Sequence, residues 1–132
     1  MPEQQRTRTD KSSELRAPSQ SSKDLQALVH ETLDDMKAMD IVAMDVRHLT
    51  QITDVMFVAS GRSDRHVRAI AEAVVDKYES SGRKPLGVEG MDGGEWVLID
   101  LADVIVHVMI KRTRDFYEIE KLWDISRPKT AE

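Results

Sequence analysis

The chain has 132 residues, 40% of them hydrophobic, enough for one compact domain with a sheet and a few helices and too short for a second. Its formal net charge is −5, and residues 23–127 hold 14 basic against 20 acidic side chains. That balance disfavours general nucleic-acid binding, where cations must displace phosphate counterions, and suits a cationic protein partner. Cysteine is absent, which excludes disulfides, zinc–cysteine sites and thiol nucleophiles.

The N-terminus has no apolar core of the signal-peptide kind. The most apolar run, Val104–Ile110, is too short to cross a bilayer and contains His107. A soluble, cytosolic protein is expected. Met1–Ser22 is rich in Gln, Ser, Thr, Arg and Lys and is expected to be a disordered tail. A folded domain over 23–127 and a short C-terminal tail over 128–132 follow.

Leu25, Leu28, Val29, Leu33 and Met36 recur at helical spacing, with Ser21 or Ser22 as the expected cap and Asp24 in the first turn. Asp40–Val46 and Asp54–Ser60 read as strands, the second mostly buried and broken by Gly61. A helix is expected from Asp64 to Glu79, capped by Ser63. Its apolar stripe is Val67, Ile70, Ala71, Val74, Val75 and Tyr78, and Ser80-Ser81-Gly82 ends it. Lys84–Glu89, Glu95–Ile99 and Asp103–Ile110 read as three more strands, the last two joined by a tight turn through Asp100, Leu101 and Ala102. In the last strand Val104, Val106, Val108 and Ile110 oppose Ile105, His107 and Met109. Both faces are largely apolar, so this strand should be central and covered on both sides. Thr113–Trp123 is the closing helix, with Thr113 as cap and Asp115 in its first turn, before Pro128. The fold class is α/β: a mixed five-stranded sheet flanked by helices, in the order α-β-β-α-β-β-β-α. If the strands on either side of the second helix are parallel neighbours, that unit is a right-handed crossover.

Little of this points to catalysis. Ala59-Ser60-Gly61-Arg62-Ser63, between a strand and a helix, could cradle a phosphate on backbone amides, but reads better as a capping turn. It loosely resembles the turn of nucleotidyltransferases, yet the following strand lacks the paired carboxylates that hold their metal ions. His30, His48, His66 and His107 have no metal-ligand spacing, and no metal or cofactor is expected. His107, amid an apolar strand, reads as a hydrogen-bonded core histidine, and His66 as a solvated one. Arg62, Arg65 and Arg68 share one side of a helix. They read as a solvated face paired with local acids such as Asp64 and Glu72, with a minor ribosomal RNA or carboxylate contact as the alternative.

The stronger signal is Glu89–Asp103, which carries Glu89, Asp92, Glu95, Asp100 and Asp103 without a Lys or Arg, around Trp96. Trp96 and Leu98 alternate with Val97 and Ile99. If Val97 and Ile99 pack inward, Trp96 and Leu98 form an apolar anchor among acids, as at an interaction hot spot. If Trp96 is core, the acids merely keep a sheet edge soluble. Spacing leaves both arrangements open.

Several blocks together resemble the ribosomal silencing factor family (RsfS, or Iojap). They are Asp54–Ser63 with Arg65–Ile70, then Gly87-Val88-Glu89-Gly90, Trp96–Asp100, Asp103–Val108 and Arg114–Trp123. The resemblance covers about Leu25 to Trp123. It implies a nucleotidyltransferase-like α/β sheet without transferase activity. It also implies a partner, large-subunit ribosomal protein fourteen, whose occupation blocks small-subunit joining and represses translation. Lys111-Arg112 stands where the family often has Pro-Glu. The expected contacts are Trp96, Leu98, Asp100, Asp103 and Glu89. A large-subunit assembly factor and a magnesium-dependent nucleotidyltransferase using Gly61, Ser63 and Asp64 are the alternatives. Exposed apolar residues at the sheet edge leave a homodimer open.

Overall fold

The computed structural model describes residues 20–118. The order of elements is α1 (Gln20–Asp35), β1 (Met39–Asp45), β2 (Val55–Gly61), α2 (Asp64–Ser80), β3 (Gly87–Glu89), β4 (Trp96–Asp100), β5 (Val104–Ile110) and α3 (Lys111–Tyr117). The strands form one sheet in the order β1-β2-β5-β4-β3. The central pair, β2 and β5, is parallel, and the β1–β2, β5–β4 and β4–β3 pairs are antiparallel.

The reason β5 is central is visible in its side chains. Val104, Val106, Val108 and Ile110 pack with Val55, Phe57 and Ala59 of β2 and Val97 and Ile99 of β4. Leu25, Val29 and Leu33 of α1 and Val67, Ile70, Ala71, Val74 and Tyr78 of α2 join the same cluster. Burying each of these larger side chains contributes roughly 1.5–3 kcal/mol, so the helices and one sheet face hold each other in place. On the opposite face Met109 joins Met56, Val58 and Val46, with Met44 and Trp96 packed against them. β5 is thus apolar on both sides because both sides have something to bury against.

Several local readings need correction. Helix α1 is already helical at Gln20, so Ser22 lies inside it, buried, and accepts from Gln26 Nε2 at 3.4 Å instead of capping; no acid stands in the first turn. The closing helix begins at Lys111 with Ile110 at its cap position, and no side chain caps it. Thr113 is therefore an internal, buried residue, and Asp115 falls beyond the first turn. Ile119, Glu120 and Trp123, expected in this helix, lie outside the described residues. Strand β3 is only three residues long. Pro85 has no N–H to give to a ladder, and the Leu86 N–H donates to the Asp100 carbonyl at 2.8 Å. Finally, β3 lies at the far edge, with β5 and β4 between it and β2. The parallel neighbour of β2 is β5, so the crossover condition is not met by β3.

The helix junctions are tightly specified. Lys37 ends α1 in the left-handed region (φ 63°), with its N–H on Asp34 O and the Ala38 N–H on Leu33 O, the paired bonds of a Schellman close. Asp40 (φ 51°) sits where the β1–β2 register shifts between Met39 and Val42, a bulge. Ser63 caps α2 as expected, its Oγ accepting from the His66 N–H at 3.1 Å.

Candidate partner-binding face

The alternation of β4 decides the face. Val97 and Ile99 are fully buried in the cluster beneath the helices. Trp96, Leu98 and Asp100 therefore project from the opposite side, each partly exposed. Cross-strand partners share a face, so the ladders show what surrounds them. Leu98 stands between Glu89 of β3 and His107 of β5. Asp100 stands between Gly87 and Ile105, and Trp96 lies beside Met109. Glu89, Leu98, Asp100 and Trp96 are thereby brought onto one surface, a short apolar strip with a carboxylate across from Leu98 and another two residues along.

Asp103 is placed differently. It precedes β5, and its backbone carbonyl accepts from the Asp54 and Val55 N–H groups at 2.9 and 3.2 Å, holding the start of β2. It borders the end of this face at the β4–β5 turn. That turn also uses Asp100, whose Oδ1 accepts from the Ala102 N–H at 2.9 Å. Ala102 takes φ 74°, and the Leu101 N–H reaches Val104 O at 2.9 Å. Glu95, counted among the acids, is engaged by Arg112 at 3.7 Å, while Lys111 pairs with Asp115 at 3.5 Å. The unexpected Lys111-Arg112 pair is thus matched locally by acids. Exposed pairs of this kind contribute about 1 kcal/mol at most.

Trp96 is neither a bare anchor nor a core residue. It packs on the Met109 and Val58 cluster, and its indole N–H donates to His107 Nδ1 at 2.9 Å. The two rings lie 5.8 Å apart at 51°. His107 is 4% exposed, and burial pushes its pKa down to about 4, so the ring is neutral at pH 7. The accepting Nδ1 puts the ring proton on Nε2. His107 is the hydrogen-bonded core histidine expected. That its partner is Trp96 is new, because the contact is a diagonal one set by the register of two strands.

The turn after β2 is built as a cap. A Cβ on Gly61 would come within 2.8 Å of Val67 Cγ2, so the strand approaches the helix closely. The amide of Arg62 is taken by His66 Nδ1 at 2.9 Å, that of Arg65 by Asp64 Oδ1 at 2.8 Å and that of His66 by Ser63. His66, expected to be solvated, is instead a clamp: its Nε2 lies 2.8 Å from Met36 O, tying the end of α1 to the start of α2. A groove of about 770 Å³ opens beyond Gly61 and Ile110, lined also by Arg62, Asp64, Glu95 and Arg112. Three of the amides that could cradle a phosphate there, those of Arg62, Arg65 and His66, are already bonded within the chain. In the arginine row, Arg68 pairs with Asp64 at 3.6 Å and reaches Asp92 O at 3.4 Å, while Arg62 and Arg65 are exposed. Among the described residues no cluster of His, Asp and Glu could hold a metal ion, and no helix is long and apolar enough to cross a membrane.

The family model described as ribosomal silencing factor during starvation matches residues 19–132. The chain belongs to the ribosomal silencing factor family. A ribosomal silencing factor RsfS from Chromobacterium violaceum is 43% identical over 108 residues, spanning 82% of this chain and 88% of the relative. A crystal structure of a C. violaceum protein superposes with a TM-score of 0.75 at 44% identity, covering 76% of this chain and 84% of that one. A mouse protein named mitochondrial assembly of ribosomal large subunit protein 1 is 32% identical over 91 residues, 67% of this chain and 40% of its own length. The mixed sheet is therefore that of the ribosomal silencing factor family, and the chain takes a part in ribosome-associated regulation.

Proposed function

We propose that this protein is a cytosolic, non-enzymatic repressor of translation that binds the large ribosomal subunit through large-subunit ribosomal protein fourteen. Docked there, it keeps the small subunit away by occupying space. The observation that carries the reading is the placement of Trp96 and Leu98 on the sheet face away from α1 and α2, with Glu89 across from Leu98 and Asp100 next along the same strand face. Apolar side chains bordered by carboxylates suit a basic protein: the apolar strip supplies contact area, and the carboxylates steer approach and pair with Lys or Arg. Asp103 extends the acidic border. The bonded amides of Arg62, Arg65 and His66 argue for a cap and against a nucleotide site, which favours blocking over transfer.

The test is cosedimentation with separated ribosomal subunits over a salt series. Retention on large subunits alone, weakening as salt rises, is expected of a charge-steered interface. Trp96→Ala should lower that affinity by about 2 kcal/mol, on the order of 30-fold, while thermal unfolding shows a folded protein. Sedimentation free of every ribosomal particle would refute the proposal.

The name of the mouse relative favours a second reading, in which the same face serves during assembly of the large subunit. Accumulation of precursor large subunits in a deletion strain supports assembly; normal precursors with loss of starvation survival support repression.

A further inference from the structure

We infer that His107 is a positioning residue for the docking face: by accepting the indole N–H it fixes Trp96 and removes that N–H from the chemistry offered to a partner. The inference rests on the docking role of Trp96 and adds how that side chain is held and which of its groups a partner meets.

Three observations carry it. His107 lies on the central strand, parallel to β2 and antiparallel to β4, so its backbone is among the most constrained in the molecule. Its ring is buried, and its Nδ1 lies 2.9 Å from Trp96 Nε1. Trp96, by contrast, stands on β4 next to a glycine-rich loop and is partly exposed. Contacts of a half-exposed indole with methionine and valine side chains are non-directional and separate its rotamers only weakly. One bond to a fixed acceptor selects among them and lessens the ordering that binding must supply.

The bond also narrows the partner chemistry. The N–H is an indole's single hydrogen-bond donor, and here it points into the sheet. What remains for a partner is ring surface. Ring surface suits an aliphatic stem or a cationic head stacked over the π face, and arginine offers both. Leu98 beside it and Glu89 and Asp100 on the same face complete a receptor for such a side chain. A partner acceptor seeking the indole N–H would find it already occupied.

The test uses the full chain labelled with 15N, its indole resonances assigned with Trp96→Phe, and isolated large subunits as the binding probe. Asn places an oxygen where His107 has Nδ1, whereas Leu offers similar bulk and no acceptor. His107→Leu is expected to shift the Trp96 N–H resonance towards that of a solvated indole and to weaken subunit binding about tenfold, while His107→Asn stays within about threefold of wild type. In a Trp96→Phe background His107→Leu should cost nothing further, because the residue acts through the indole. An equal loss in that background means a merely structural histidine and overturns the inference. A wild-type His107 ring carrying its proton on Nδ1, read from the nitrogen shifts, overturns it without any variant having to fold. Wild-type binding by Trp96→Ala would strike down the docking role itself, a result the resonance data separate from absence of the bond.

Discussion

Acidification should unfasten this protein at His107. In the folded chain burial holds that ring neutral, with a pKa of about 4 against an ordinary 6.5. The unfolded chain takes up the proton first as pH falls, so the native state is stable above pH 6.5 and loses stability as pH falls towards 4. At pH 4.5 the unfolded histidine is almost wholly protonated and the folded one about a quarter so, which corresponds to roughly 2.5 kcal/mol of lost stability. That is a large fraction of the 5–15 kcal/mol typical of a domain. Part of the loss has a visible source: a proton on Nδ1 removes the acceptor for the Trp96 N–H. The assay is urea unfolding at steps between pH 7.5 and 4.5, for wild type and for His107→Asn, which has nothing to titrate. Asp45, whose carboxyl the Arg47 hydrogen bond holds below its usual range, lowers both curves alike, so the difference between them isolates the histidine. Wild type should fall relative to His107→Asn by about 2–3 kcal/mol across that range. Parallel curves would refute the reasoning and mean that the ring is protonated as readily in the folded state as in the unfolded one.

Gly90→Ala should destabilise the protein by about 2 kcal/mol or more, measured by urea unfolding, because φ is +92° and a Cβ would meet the Trp96 carbonyl oxygen. Lys37→Gly should act in the opposite direction, raising stability by about 1 kcal/mol, since the Schellman close of α1 holds a side chain at φ 63°. Ser63→Ala should cost about 1 kcal/mol through the lost cap of α2, and amide exchange should quicken in that helix's first turn.

Where one periodicity and one burial demand agree, the sequence was enough. The stripe from Val67 to Tyr78 could only be one face of a helix on a sheet, and it is. The two apolar faces of Val104–Ile110 required a central strand, and β5 is one. In β4 the same reasoning stalls, because Trp96 and Leu98 are as apolar as Val97 and Ile99, so alternation identifies two faces without saying which meets the helices. The choice is made by pairing with β5, which aligns Val97 with Val108 and Ile99 with Val106. The remaining surprises have the same origin. His66 reaches a carbonyl thirty positions earlier in the chain, and Trp96 reaches a histidine on the next strand. Neither partner is within a helical turn or a hairpin loop, so no local pattern announces it. The start of α3 departs from the sequence pattern for a different reason: Thr113 is a good capping residue, but the helix begins without any side-chain cap.

The parallel pairing of β2 with β5 has a consequence for how the molecule is made. All seven residues of β2 are buried, and although β1 covers one edge of the strand, Val55 through Gly61 find their parallel neighbours only at Val104 through Ile110. During synthesis the chain must therefore carry an apolar strand with one edge open for roughly 50 further residues, a wait of about 3–10 s at ordinary elongation rates. A regulator of ribosomes is thus itself incomplete until its last strand has left the tunnel, and the nascent chain is most vulnerable to aggregation and proteolysis during that interval.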